Sequence, residues 1–149
     1  RVGAGIVAVR GLDLQADGLA DVFEIGGALL RNANLKYICK TIGLKVETTD
    51  SDYTRAYTAG QVIDIPIAHH DGNYVADAET ITRLRGDDRV AFSYAENPNG
   101  AQDDIAGILS ANRRVLGMMP HPERAADPVH GGTDGAALFR ALTGALETA

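Results

Sequence analysis

The 149-residue sequence is poor in sulfur and in aromatic side chains: it has one cysteine, two methionines and no tryptophan. A single cysteine excludes a disulfide within the chain and fits a reducing compartment, so we expect a cytoplasmic protein. No apolar run approaches the roughly 18 residues that a membrane-spanning helix needs. No leader with a small-residue cleavage site is recognisable either. We therefore expect no membrane association.

Basic residues are also few, with 14 Lys and Arg against 20 Asp and Glu and a net charge of −6. They are spread along the chain without a basic cluster, so nucleic acid is not expected as a partner. Small molecules and other proteins remain as candidates. Hydrophobic residues make up 45% of the sequence, which is enough for one domain with a core of its own.

The most informative segment is residues 115–124, an apolar run that ends in a proline and is followed by a histidine and a glutamate. His121 and Glu123 are two positions apart, and in extended backbone this spacing sends both side chains to the same side. An imidazole moves protons near neutral pH, and a carboxylate on its other nitrogen fixes its tautomer. We predict that His121 is a base and Glu123 its orienting partner. The segment contains no nucleophile.

A second candidate site is the polar loop at residues 69–74, which follows a β-branched run at 61–68. The run predicts a buried strand, and Pro66 places it near the edge of a sheet or at a bulge. Loops at the ends of buried strands often contact ligands in α/β proteins. The alternative is a plain turn in which Asp71 and Asn73 bond to neighbouring backbone groups, and both interpretations stay open.

The histidines also suggest a metal site, with four candidate ligands: His69, His70, Asp71 and His121. Neighbouring residues of a strand point to opposite faces, and no pair of histidines has the spacing of a helical metal motif. We therefore expect no metal. No serine stands in a glycine-flanked elbow, which argues against a Ser-His-Asp site.

The only cysteine, Cys39, lies in the first of two predicted strands, at 35–40 and 44–48, with a turn at Gly43 between them. Alternation places Cys39 on the buried face, together with Leu35 and Tyr37. We predict a structural thiol rather than a nucleophile. The remaining predicted elements are a helix capped by Asp77, a strand at 89–95, paired strands at 105–109 and 115–119, and a last helix capped by Asp134.

From about Gly27 onward the chain resembles a family of class I, triad-type glutamine amidotransferases, the glutaminase subunits of phosphoribosylformylglycinamidine synthase in purine biosynthesis. The blocks that carry the resemblance are residues 27–40, 65–74, 96–100, 104–108 and 117–124. The resemblance implies an α/β fold, the C-terminal part of a doubly wound, flavodoxin-like sheet with added antiparallel strands, and incomplete. It also implies two parts, an atypical segment at 1–26 and the C-terminal part of an amidotransferase domain at 27–149.

The chemistry that the resemblance implies is hydrolysis of L-glutamine by a Cys-His-Glu triad. His121 would be its base and acid, Glu123 would orient it, and the 69–74 loop would hold glutamine through His70, Asp71 and Asn73. The ammonia would pass to a large synthetase subunit, which uses ATP and Mg²⁺ and is joined by a small bridging subunit. No cofactor is implied for this chain.

The departure from the family pattern is the missing nucleophile. The family carries it in a Gly-x-Cys-x-Gly elbow shortly before the block that begins at Gly27, and residues 1–26 contain no cysteine. Cys39 matches a non-catalytic position. We therefore predict that the chain as given does not hydrolyse glutamine. The alternatives are a non-catalytic remnant that docks on the synthetase subunit, and a metal-dependent hydrolase.

Overall fold

The structure is a computed structural model that describes residues 6–9 and 26–147. The predicted atypical segment at 1–26 lies almost wholly outside the described residues. The strands are β1 (Ile6–Val9), β2 (Ala28–Leu30), β3 (Ile38–Val46), β4 (Val62–His69), β5 (Asn73–Val75), β6 (Val90–Tyr94), β7 (Ile105–Leu109) and β8 (Val115–Met118). The α-helices are α1 (Ala78–Gly86) and α2 (Ala136–Glu147), and short 3₁₀ helices span Gln102–Asp104, Pro122–Ala125 and Pro128–His130.

Six of these strands form one sheet in the order β1-β8-β7-β6-β3-β4, and β2 pairs with β5 in a separate ribbon. Every pairing between these strands is antiparallel. The α/β class is as predicted. The strands that the structure describes belong to the antiparallel part of the predicted fold. The central strands β6 and β7 are buried along their whole length. Among the described residues, no helix has the length and apolar character needed to cross a membrane.

The prediction of two strands around a turn at Gly43 is wrong, because β3 runs without interruption through that residue. Its ladder with β4 extends from the Ile38–His69 pair to the Lys45–Val62 pair, and Gly43 lies opposite Asp64 within it. Glycine weakens a strand but does not oblige it to turn. Here the pairing on both sides holds the residue in extended backbone.

The burial predicted for Cys39 is wrong for the same reason. In the continuous strand the core face is formed by Ile42, Leu44 and Val46, so odd-numbered residues face away from the core. Cys39 is accordingly exposed. Leu35 and Tyr37, predicted to share its buried face, precede the strand and are 68% and 60% exposed.

An exposed Cys39 leads to a simple expectation for chemical modification. We expect a thiol reagent to label Cys39 in the folded protein nearly as fast as in denaturant. Cys39→Ser should change the free energy of unfolding by no more than about 0.5 kcal/mol, because the side chain fills no core space. Labelling kinetics with and without urea measure the first point. Protection of the thiol until the protein unfolds would contradict this placement.

The edge strand β4 is covered by the chain that follows β8. The backbone N–H of Asp64 donates to Asp134 Oδ2 (2.8 Å), and the Tyr57 hydroxyl donates to the Asp134 carbonyl (2.8 Å). Asp134 was predicted to cap the last helix, but its carboxylate binds this strand instead and α2 begins two residues later. The first of these bonds uses a backbone N–H that an open sheet edge would expose. By contrast, Asp77 caps α1 as predicted, accepting from the Thr80 N–H at 2.7 Å.

Candidate active site

His121 and Glu123 lie in the turn that leaves β8. The His121 N–H donates to the Pro66 carbonyl of β4 (2.8 Å), which holds the turn against the edge of the sheet. His121 Nδ1 lies 2.9 Å from Glu123 Oε1. The imidazole side chain is 13% exposed and the carboxylate 45%. The pair predicted from the sequence is therefore formed, although Glu123 reaches His121 from the 3₁₀ helix Pro122–Ala125 rather than from extended backbone.

The hydrogen bond between these two side chains fixes what the imidazole can do. A carboxylate only accepts hydrogen bonds, so His121 Nδ1 carries the hydrogen and Nε2 keeps a lone pair. His121 Nε2 is therefore the atom that can remove a proton from a nucleophile. Glu123 stabilises the imidazolium that results.

The turn is supported from behind by Gly135. A Cβ built on Gly135 would lie 2.1 Å from the carbonyl oxygen of Pro122, so the two backbones touch where a side chain would not fit. The Gly135 N–H donates to the Ala125 carbonyl at 2.8 Å. The start of α2 thus fixes the 3₁₀ helix that carries Glu123.

The loop at 69–74 is organised by Asn32, a residue that the sequence analysis did not single out. Asn32 is fully buried. Its Nδ2 donates to the carbonyls of Lys36 (2.7 Å) and His69 (3.0 Å). Its Oδ1 accepts from His69 Nδ1 (3.0 Å) and the Gly72 N–H (3.1 Å), and its own N–H donates to the His70 carbonyl. Asn32 therefore holds the loop at positions 69, 70 and 72.

Asn99 adds a second buried amide to this arrangement. Asn99 Nδ2 donates to the Gly72 carbonyl at 2.8 Å, and the Asn99 carbonyl accepts from the Ala33 N–H at 2.8 Å. In the sequence, Asn99 belongs to the block at 96–100 that carries the family resemblance. Its partners are 27 and 66 positions away in the sequence, and no local pattern reveals contacts of that range.

The predicted substrate residues of the loop have different environments. His70 and Asp71 are partly exposed and face each other, with His70 Nδ1 3.5 Å from Asp71 Oδ1. Arg31 approaches the same oxygen at 3.9 Å. Asn73 Oδ1 is buried and, within the part of the chain that the structure describes, has no hydrogen-bond partner. The assignment of these three residues to substrate stays a prediction.

His69, a candidate metal ligand and the first residue of the 69–74 loop, is the loop histidine with a perturbed pKa. Its side chain is buried over Gly72, where a Cβ would lie 2.4 Å from the ring. Burial lowers the pKa of His69, the positive charge of a protonated His121 lowers it further, and Asp71 opposes both. The lowered pKa favours the neutral imidazole form of His69.

The lowered pKa of His69 predicts how stability depends on pH. The unfolded chain binds a proton at His69 near pH 6.5 and the folded chain does so only at lower pH. Stability from this residue is therefore present above about pH 6.5 and is lost as the pH falls, by up to about 1.4 kcal/mol per unit. Urea unfolding between pH 7.5 and 5 measures it.

The control for this prediction compares slopes rather than absolute stabilities. His69→Gln removes the titrating ring, so its curve should be flatter than that of the unmodified chain. The same substitution at the exposed His130 is the matched control, and we expect the larger change of slope from His69→Gln. An unaltered slope in His69→Gln would show that another group causes the pH dependence.

The candidate metal ligands are not assembled into a metal site. Within residues 6–9 and 26–147, no group of three or more His, Cys, Asp or Glu side chains is placed to hold a metal ion. His69 bonds to Asn32 and His121 to Glu123, so each candidate ring already uses one nitrogen.

Comparison with known proteins identifies the family of the chain. The model of the CobB/CobQ-like glutamine amidotransferase domain matches residues 14–133. The chain belongs to this family. It is 76% identical over 131 residues to phosphoribosylformylglycinamidine synthase subunit PurQ of Ruegeria pomeroyi, covering 88% of this chain and 59% of the relative. It is 78% identical over 128 residues to the PurQ subunit of Roseobacter denitrificans, covering 86% and 58%.

A solved structure shows the same relationship. The chain is similar to a chain in the structure of PurLQS from Thermotoga maritima, with a TM-score of 0.75 and 38% sequence identity. The match covers 87% of this chain and 57% of that one. These findings confirm the resemblance inferred from the sequence blocks and the partial α/β amidotransferase fold. The chain spans less than two thirds of the length of the relatives it matches.

Proposed function

We propose that this chain provides the histidine and glutamate of a glutamine-hydrolysing site, as part of a PurQ-type glutaminase subunit that releases ammonia for purine biosynthesis. The observation that carries the proposal is the 2.9 Å contact between His121 Nδ1 and Glu123 Oε1, which leaves Nε2 as a base. The family membership and the PurQ relatives support it.

In the proposed reaction His121 moves one proton twice. Its Nε2 takes the proton of a cysteine thiol, and the thiolate sulfur bonds to the carboxamide carbon of glutamine. When the C–N bond breaks, His121 returns the proton to the leaving nitrogen, and ammonia departs. His121 then activates water, which hydrolyses the thioester to glutamate. Glu123 stabilises the imidazolium in each half of the cycle.

The thiol is not supplied by Cys39, the only cysteine of the sequence. Cys39 lies on the face of β3 that points away from the core, with neither Glu123 nor His121 among its strand partners. The proposal therefore requires a nucleophile from outside these 149 residues. The chain as given is expected to be inactive.

The remaining parts of the proposal concern ligands and partners. L-glutamine would be held by the 69–74 loop, with His70, Asp71 and Asn73 as its contacts. A large synthetase subunit and a small bridging subunit would be the protein partners, and ATP and Mg²⁺ would be used by the synthetase in the cytoplasm. No cofactor is proposed for this chain.

A second candidate function is a binding module without catalysis. The absence of a cysteine from residues 1–26 favours it, because a triad without its cysteine cannot form the thioester. In this function the chain would dock on the synthetase subunit without hydrolysing glutamine.

The two candidate functions are separated by supplying the missing nucleophile. A chimera would join the N-terminal part of the Ruegeria pomeroyi PurQ relative to residues 27–149 of this chain. Glutamate release is then measured for the chimera and for the unmodified chain, each with the synthetase subunits present. We expect turnover from the chimera and background from the unmodified chain. A correctly folded chimera without turnover would support the binding module.

A further inference from the structure

The buried hydroxyl of Tyr57 is bonded to the start of α2. Tyr57 is 8% exposed, and its ring packs edge-on against Phe92 with 6.3 Å between the ring centroids. The hydroxyl donates to the Asp134 carbonyl at 2.8 Å and accepts from the Leu138 N–H at 3.2 Å. Burial raises the pKa of Tyr57 to about 12, so the hydroxyl keeps its hydrogen at neutral pH. The N–H groups in the first turn of a helix have no partner within the helix, and Tyr57 satisfies one of them.

Between the two groups that Tyr57 binds lies Gly135, which contacts the 3₁₀ helix Pro122–Ala125. A methyl group on Gly135 would collide with the backbone of Pro122, the first residue of this helix. The Gly135 N–H donates at 2.8 Å to the carbonyl of Ala125, its last residue. The position of Gly135 therefore sets the position of the short helix that carries Glu123.

His121 and Glu123 are held by different parts of the fold. The His121 N–H is bonded to the Pro66 carbonyl of β4, whereas Glu123 belongs to the 3₁₀ helix that the start of α2 supports. The start of α2 is itself tied to β4, because the Asp64 N–H donates to Asp134 Oδ2. The 2.9 Å distance between His121 Nδ1 and Glu123 Oε1 thus depends on where α2 begins relative to β4.

We propose that Tyr57 is a positioning residue for the candidate base: its hydroxyl holds the start of α2 so that Glu123 stays within hydrogen-bond distance of His121 Nδ1. Tyr57 acts through α2 and the 3₁₀ helix, and it thereby keeps the hydrogen of the neutral imidazole on Nδ1 and the lone pair on Nε2. The catalytic meaning of this role rests on the proposed glutaminase function, but the role itself can be tested without turnover.

The experiment records ¹⁵N NMR spectra of the histidine rings in the unmodified chain and in Tyr57→Phe at about pH 9, above the usual range of histidine pKa values. The unmodified chain should show His121 as the Nδ1–H tautomer. Tyr57→Phe keeps the aromatic ring but leaves the Asp134 carbonyl and the Leu138 N–H without the hydroxyl. We expect the ratio of the Nδ1–H to the Nε2–H tautomer of His121 to fall by about threefold to tenfold, the effect of weakening one hydrogen bond.

Tyr53→Phe is the matched control. Tyr53 is fully buried, and its hydroxyl donates to the Arg114 carbonyl at 2.6 Å, at the end of β8 far from His121. This variant also loses a buried hydrogen bond, but the tautomer ratio of His121 should stay as in the unmodified chain. An unchanged ratio in Tyr57→Phe, or an equal change in both variants, would overturn the proposal.

Gly135→Ala tests the same contacts without altering Tyr57. The added methyl group displaces the Pro122 backbone, so the tautomer ratio of His121 should fall at least as far as in Tyr57→Phe. A ratio equal to that of the unmodified chain would contradict the proposed line of contacts. These measurements do not use glutamine hydrolysis, so an inactive chimera would count against the proposed function and leave the positioning role of Tyr57 standing.

Discussion

Replacing His121 by alanine in the chimera is expected to lower glutamate release by about a hundred- to ten-thousand-fold, the usual contribution of a positioned general base. The expectation rests on the 2.9 Å contact that sets His121 Nδ1 as a donor and leaves Nε2 to accept the thiol proton. Steady-state glutamate release at saturating glutamine measures the effect, with the synthetase subunits present.

Glu123→Gln provides the graded companion to this variant. An amide oxygen can still accept from Nδ1, but it lacks the charge that stabilises the imidazolium, so we expect a smaller loss than for His121→Ala. Both variants should keep the unfolding midpoint of the parent chimera, since Glu123 is 45% exposed and neither residue belongs to the hydrophobic core. A larger loss from Glu123→Gln than from His121→Ala would contradict the assigned roles.

Asn32→Ala is expected to be the most destabilising polar substitution, lowering the free energy of unfolding by about 3 to 5 kcal/mol. The change removes both acceptors and donors at once. It strands the His69 Nδ1–H and the Gly72 N–H without an acceptor, and the Lys36 and His69 carbonyls without a donor. Urea unfolding monitored by far-UV circular dichroism measures the loss.

Asn34 offers a matched control two residues away in the same turn. Its Oδ1 accepts from the Lys36 N–H at an exposed position, so water can replace the bond when the side chain is cut back. Asn34→Ala should cost about 0.5 kcal/mol. Equal losses from Asn32→Ala and Asn34→Ala would show that the buried network contributes little.

Local pattern predicted much of the fold. The β-branched run at 61–68 and the alternating run at 89–95 both proved to be strands, and Pro66 does lie in an edge strand. Capping chemistry placed the start of α1 correctly at Asp77. The error at Gly43 arose because pairing with neighbouring strands decides whether a glycine bends the chain, and pairing is not visible in a local window.

Only part of the candidate site could likewise be predicted from the sequence. His121 and Glu123 could be paired from the sequence because two positions separate them and the chemistry is local. The Asn32, His69 and Asn99 network could not, since its side-chain contacts join residues as far as 40 positions apart. The exposure of Cys39 also depends on which face of β3 each side chain occupies. The turn wrongly predicted at Gly43 led to the wrong face for Cys39.

The central claim is that His121 is the base of a glutaminase site whose nucleophile is not Cys39. The most direct test measures glutamate release from three forms of the chimera side by side: unmodified, Cys39→Ser and His121→Ala. We predict that Cys39→Ser retains the parent rate and that His121→Ala falls toward background. Loss of turnover in Cys39→Ser, or its retention in His121→Ala, would contradict it.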